Sequence, residues 1–135
     1  MTPTVTELST ENATSPEPSF EDTDLYTNRT SADIALIIPF RNRTAHLDEL
    51  LRHLLPFLNA QNVSSHIFVV EQIADQTFNK GKLMNVGFLF AKHWADFPCY
   101  IFHDVDLLPE DSRNLYQCGL GPRHLSVTVD TLGYK

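Results

Sequence analysis

The strongest constraint in this sequence is the spacing of its apolar runs. Three short runs, DIALIIP (33–39), HIFVVE (66–71) and CYIFHDV (99–105), alternate with two stretches of helical periodicity. Apolar runs of this length, rich in β-branched and aromatic residues, suit strands covered on both faces. After the first run, Thr44 is placed to cap a helix through Leu58, with Leu47, Leu51, Leu54 and Leu58 as its apolar stripe. Pro56 inside that stripe predicts a kink or an early end. After the second run, a helix is predicted over 80–95, with Leu83, Val86, Phe90 and Trp94 as its buried face and Gly87 beside it. Asp96-Phe97-Pro98 ends that helix. LSVTV (125–129) predicts a fourth strand. Strand, helix, strand, helix, strand implies an α/β protein with a parallel, helix-covered sheet. Ligands of such sheets bind at the carboxyl ends of the strands, so the residues that follow each strand become the candidates for function.

Charge is distributed unevenly along the 135 residues. Residues 1–33 carry seven acids against Arg29 alone, whereas the other ten acids are nearly balanced by nine bases. The net charge of −7 argues against nucleic acid as a partner. Residues 1–32 are rich in Ser, Thr, Glu and Pro without periodicity, and read as a flexible acidic tail or stem, with the folded body over 33–135. No stretch approaches the roughly 18 apolar residues of a membrane span. No secretory leader is readable after Met1, so the chain is either cytosolic or anchored by a segment outside this sequence. Sequons at Asn12, Asn28, Asn42 and Asn62 lean toward a secretory compartment. Cys99 and Cys118 fit either buried thiols or a disulfide around the most acidic part of the body.

Three segments lie at the predicted strand ends. Pro39-Phe40-Arg41-Asn42-Arg43 brings two guanidiniums to a helix N-terminus, a combination that attracts anions and grips phosphate. Phe78-Asn79-Lys80-Gly81-Lys82 offers a ring for stacking, a helix cap and two cations, without the glycine spacing of a P-loop. His103-Asp104-Val105-Asp106 offers two carboxylates one residue apart, hard ligands of the kind Mg²⁺ and Mn²⁺ favour beside phosphate and water. Each segment alone also fits a bland role: a solvated basic turn, a capped helix start, an acidic loop. His103 suits packing or support of a ligand better than ligation. On one edge of one sheet, the three together describe a metal-dependent nucleotide or nucleotide-sugar site.

IIPFRNR (37–43), HIFVVEQ (66–72), FNKGKLMNVGF (78–88), FHDVDLLPEDSRNLYQC (102–118) and PRHLSV (122–127), in this order, resemble the β-1,4-galactosyltransferase family. The resemblance runs from about Asp33 to Tyr134, and the FRNR form is similar to the N-acetylglucosamine-directed branch. It implies an incomplete GT-A (Rossmann-like) fold over 33–135, the N-terminal portion of the catalytic domain. It implies Mn²⁺ as cofactor and UDP-galactose as donor, with inversion at the anomeric carbon. An N-acetylglucosamine-terminated glycan is the implied acceptor. A Golgi-lumenal location is implied too, behind an N-terminal type II membrane anchor. By motif, Pro39, Phe40, Arg41, Arg43, Phe78, Lys80, Asp104 and Val105 are the implied donor-binding residues. Asp106 is the implied metal ligand, and Cys99 and Cys118 match a family disulfide. Asn42 then falls inside the donor site, leaving Asn12, Asn28 and Asn62 as the candidates for glycosylation.

Two positions depart from the family pattern. Lys80 stands where an arginine is usual, keeping the charge and losing the bidentate fork. Thr131 stands where a lysine is usual. The family's other metal ligands, its flexible Trp-Gly loop and its catalytic base are expected beyond Lys135, so the 135-residue chain is expected to be inactive by itself. The alternatives are a non-catalytic nucleotide- or metal-binding relative and a fragment without a stable fold.

Overall fold

The computed structural model describes residues 4–9, 32–73, 75–126 and 128–134. Its strands are β1 (Thr4–Ser9), β2 (Ile34–Phe40), β3 (Ser65–Glu71) and β4 (Tyr100–Phe102); α1 (Thr44–Ala60) links β2 to β3, and α2 (Lys80–Trp94) links β3 to β4. They form one sheet in the order β1-β3-β2-β4. β2 runs parallel to both β3 and β4, as the alternating pattern predicts, and β1 runs antiparallel to β3.

All seven residues of β2 are buried, because a helix covers each face. Side chains of a strand alternate between faces. Ile34, Leu36, Ile38 and Phe40 therefore share a core with Leu50, Leu54 and Leu58 of α1, while Ala35 and Ile37 share one with Leu83 and Ala91 of α2. The α1 stripe is centred on Leu50, Leu54 and Leu58, with Leu47 and Leu51 at its margin. Thr44 is the first helical residue rather than the cap; Arg43 holds the cap position without a side-chain bond. Pro56 does not end the helix, which continues to Ala60. Pro56 is exposed, as is Arg52, whose carbonyl the missing N–H leaves without its helical partner, and Leu54 and Leu58 hold the turn to the core.

The face that α2 presents to the sheet differs from expectation. Leu83, Gly87 and Ala91 are buried, whereas Val86, Phe90 and Trp94 pack at the margin. Small residues let the helix axis approach the sheet. A Cβ at Gly87 would lie 2.6 Å from Ile37 Cγ2 and 2.7 Å from Val70 Cγ2. Gly87→Ala is therefore expected to destabilise the protein by up to about 2 kcal/mol, the overpacking cost of about 1–3 kcal/mol less the ~1 kcal/mol that alanine gains in helix propensity. A chemical-denaturation midpoint that rises in this variant would contradict the close contact.

Three further expectations need correction. Thr4–Ser9 belong to the sheet rather than to a flexible tail, pairing from Thr4↔Glu71 to Ser9↔His66. Val5 packs toward the α2 core, and Glu7 Oε1 lies 3.1 Å from His66 Nε2. Burial pushes the Glu7 carboxyl up from its ordinary range, and the nearby His66 opposes that shift. The rest of the expected tail, with Asn12 and Asn28, falls outside the described residues apart from Ala32. The third strand stops at Phe102 rather than Val105. Ala35 N–H donates to Cys99 O (2.8 Å), and His103 N–H donates to Ile37 O (2.9 Å). The next rung of this slanted ladder would need an N–H at residue 39, which is proline, so the chain leaves the sheet at His103. Finally, Leu125, Ser126, Thr128 and Val129 form no strand. The Leu125 carbonyl accepts instead from Asn114 Nδ2 (3.2 Å), and a 3₁₀ turn follows over Asp130–Leu132.

Candidate functional site

The carboxyl ends of β2, β3 and β4 deliver three short segments to one edge. At the end of β2, Pro39 and Phe40 are buried as part of the strand and support the turn that follows. Asn42 adopts φ +52°, a left-handed conformation that asparagine tolerates better than most residues, and it lies between Arg41 and Arg43. Arg43 Nη1 lies 3.6 Å from Asp106 Oδ2, with both side chains about half exposed. Arg41 turns the other way. Its Nη1 donates to Gln76 O (2.5 Å), and its guanidinium lies 5.1 Å from the centre of the Phe78 ring, in cation–π range.

At the end of β3, Asn79 caps α2, its Oδ1 accepting from Lys82 N–H (3.0 Å). The predicted cap is thus observed, and it sets Lys80 in the first turn of the helix. Lys80 Nζ forms an ion pair with Asp104 Oδ1. Both carboxylates of the Asp-x-Asp pair therefore face a cation, Asp104 with Lys80 and Asp106 with Arg43. Val105, between them, is buried in the α1 core and fixes the turn. Among the described residues no three His, Cys, Asp or Glu side chains group as a metal site. Two hard carboxylates at a mouth lined with cations still suit a divalent ion that takes its remaining ligands from phosphate and water.

The segment carrying the two aspartates is held from below. His103 is buried, and burial lowers its pKa, with the Asp104 carbonyl and carboxylate opposing the shift. His103 Nδ1 lies 2.8 Å from Asp104 O, a group that only accepts, so Nδ1 carries the proton and Nε2 accepts from Tyr116 O–H (2.9 Å). His103 is thus a support of the Asp104 backbone. Gln61, at the end of α1, accepts from Tyr116 N–H (3.0 Å) and donates to Asn114 O (3.1 Å). His53 Nε2 donates to Pro109 O (2.6 Å). Cys99 and Cys118 form a disulfide with Cα atoms 5.5 Å apart, closing the segment.

Burial pushes the Tyr116 phenol up to about 12. The folded state favours the neutral phenol. Its contribution is therefore complete below the ordinary tyrosine pKa of about 10 and is lost as pH rises toward the folded value. Tyr116→Phe is expected to lose less stability than the parent between about pH 10 and about pH 12, measured as the shift in denaturant midpoint. Equal losses in both proteins would show that another group governs alkaline unfolding.

Residues 4–119 match the family described as the N-terminal region of glycosyl transferase group 7. The chain belongs to the β-1,4-galactosyltransferase family. It is 50% identical over 101 residues to mouse β-1,4-galactosyltransferase 5, a match covering 75% of this chain and 26% of the relative. It is 48% identical over 122 residues to a β-1,4-N-acetylglucosaminyltransferase of Lymnaea stagnalis, covering 87% of this chain and 25% of that one. The chain thus spans about a quarter of the length of these curated relatives. Among solved structures it is similar to Drosophila β-1,4-galactosyltransferase 7. A substituted form of that enzyme, in complex with manganese, UDP-Gal and xylobiose, superposes with a TM-score of 0.63 at 42% identity, over 69% of this chain and 39% of that one. The fold is accordingly that of the GT-A galactosyltransferases.

The expected donor-binding residues Arg43, Lys80, Asp104 and Val105 and the expected metal ligand Asp106 come together at one mouth, with Arg41 and Phe78 adjoining. Pro39 and Phe40 lie beneath it. Thr131 lies in the 3₁₀ turn, its N–H bonded to its neighbour Asp130. Asn62, exposed at φ +56°, follows α1 and precedes β3, at the opposite end of the strands. The supporting roles of His53, Gln61 and Tyr116 were not readable from sequence, because their partners lie in irregular segments with no period to reveal contact.

Proposed function

We propose that this chain forms the nucleotide-diphosphate half of a Mn²⁺-dependent β-1,4-galactosyltransferase, with UDP-galactose as donor. The observation that carries the reading is the pairing of Lys80 with Asp104 and of Arg43 with Asp106, next to Arg41 and Phe78. In this proposal Phe78 stacks on the uracil, and Arg41, Arg43 and Lys80 meet the diphosphate. Asp104 contacts the donor sugar and Asp106 ligates the metal. When bound, Mn²⁺ supplies a Lewis acid that neutralises the leaving diphosphate. With donor and metal bound, the cationic side chains would face phosphate oxygens in place of their carboxylate partners, which keeps the charge of the site balanced. Lys80 contributes a point charge here rather than a planar fork.

Transfer to an N-acetylglucosamine-terminated glycan is proposed for the whole protein, on the FRNR form of the first motif. A secretory, Golgi-lumenal setting is proposed as well. The Cys99–Cys118 disulfide supports an oxidising compartment.

The test is calorimetric titration of the chain with UDP, UDP-galactose and UDP-N-acetylglucosamine, with and without Mn²⁺. Binding that requires Mn²⁺, with UDP-galactose preferred, is expected. UDP binding indifferent to Mn²⁺ would instead favour a non-catalytic nucleotide-binding protein. Preference for UDP-N-acetylglucosamine would align the chain with the Lymnaea relative.

A further inference from the structure

Gln72 follows β3 directly and ties together everything that comes after it. Its backbone N–H donates to Phe40 O (3.0 Å), which joins the ends of β2 and β3. Its side-chain amide then uses both of its ends. Nε2 donates to Thr77 O (2.9 Å) and, more weakly, to Gln76 O (3.4 Å), while Oε1 accepts from Asn79 N–H (2.8 Å). One amide thus grips the backbone on both sides of Phe78. The donor and acceptor roles leave no freedom in its orientation, because carbonyls only accept and a backbone N–H only donates. A glutamate cannot donate to the two carbonyls, and an asparagine is one methylene too short.

Phe78 is 38% exposed and packs on the Arg41 guanidinium, which itself bonds to Gln76 O. Fixing Phe78 by contact alone would leave the ring free to swing, because residues 75–79 belong to no helix or strand. We propose that Gln72 is the positioning residue of the nucleotide-base subsite: its amide fixes the backbone that presents Phe78, so it controls recognition of the base and not of the diphosphate. This rests on the nucleotide reading above. The amide acts through Phe78, whereas the start of α2, and with it Lys80, is held separately by the Asn79 side-chain cap on Lys82 N–H.

The test separates base from diphosphate. The 135-residue chain and its variants are titrated with UDP and with inorganic pyrophosphate, both in Mn²⁺. Gln72→Ala is expected to weaken UDP about tenfold, the size of one lost base–aromatic stack, and to leave pyrophosphate within about twofold. In a Phe78→Ala background, Gln72→Ala is expected to weaken UDP no further, because the two residues act in series. Gln72→Glu keeps the acceptor for Asn79 N–H but turns a carboxylate toward the Thr77 and Gln76 carbonyls. It should therefore lose UDP affinity even where Gln72→Ala folds poorly. Equal weakening of UDP and pyrophosphate, unchanged UDP affinity, or full additivity with Phe78→Ala would overturn the proposal. If the parent chain binds pyrophosphate as tightly as UDP, the base subsite fails while the diphosphate reading stands. If a cooperatively folded parent binds neither, the nucleotide reading fails and this inference with it.

Discussion

Asp106→Asn is expected to lower Mn²⁺-dependent UDP affinity on the order of 100-fold, while leaving metal-free stability within about 1 kcal/mol of the parent. The two halves of this expectation have different causes. Asp106 is half exposed, and its ion pair with Arg43 is long at 3.6 Å. Such surface pairs contribute little, since solvent screens them and two flexible side chains must be held in place. Affinity behaves otherwise, because protein carboxylates at this mouth are few. On the proposed reading Asp106 is the metal ligand this chain supplies, so the substitution removes that ligand's charge, and hard divalent ions depend on ligand charge. The same variant frees Arg43, which should keep or slightly improve metal-free binding of pyrophosphate. Calorimetry with UDP in Mn²⁺, with and without chelator, reads both effects, and a thermal melt in chelator reads the stability. An Asp106→Asn protein that retains full Mn²⁺-dependent affinity would move the metal elsewhere. One that fails to fold would mean the Arg43 contact matters far more than its exposure implies.

The parts of this protein that were legible in the sequence share one property: their signal is local. Ile34–Phe40 is apolar without interruption and is covered on both faces. Asn79 stands immediately before the second helix and caps it. The ends of three strands meet at one edge, as a parallel sheet requires, so the Asp104–Lys80 and Asp106–Arg43 pairs join segments already selected as candidates. The errors share the opposite property. β4 is short because of Pro39, a residue on the neighbouring strand some sixty positions earlier in the sequence. The inward face of α2 is set by Gly87 and Ala91, whose smallness matters only once Ile37 and Val70 lie opposite. β1 reads TVTELS, a pattern too polar to stand out until β3 supplies its edge. The disulfide was left open by the residues alone and was expected only from family resemblance; the structure bears it out.

That disulfide carries the second large expectation. Opening Cys99–Cys118, by reductant or by Cys99→Ala/Cys118→Ala, is expected to cost about 3 kcal/mol, the loop-closure entropy for the 19 residues it spans, and to lower the melting temperature by roughly 10 °C. The effect acts mainly through the unfolded chain. Cys99 is buried beside Ile34 and Ile101 in the α1 core, where a thiol or a methyl group is tolerated. A consequence in the folded state follows from how the closed segment is held. β4 has three residues, and its ladder to β2 ends at Pro39. Beyond that point the aspartate turn relies on side-chain bonds from His53, Gln61 and Tyr116, together with the disulfide. Removing the covalent closure should therefore let the 103–118 segment open below the global transition, at the place that carries Asp104 and Asp106. Hydrogen exchange is expected to rise at Leu107, Asn114 and Gln117, whose N–H groups bond within this segment, before it rises in β2 or β3. UDP affinity in Mn²⁺ should fall alongside. Uniformly faster exchange across the sheet would place the disulfide's role in global stability alone. Unchanged melting after verified reduction would show that the three side-chain anchors suffice to close the loop.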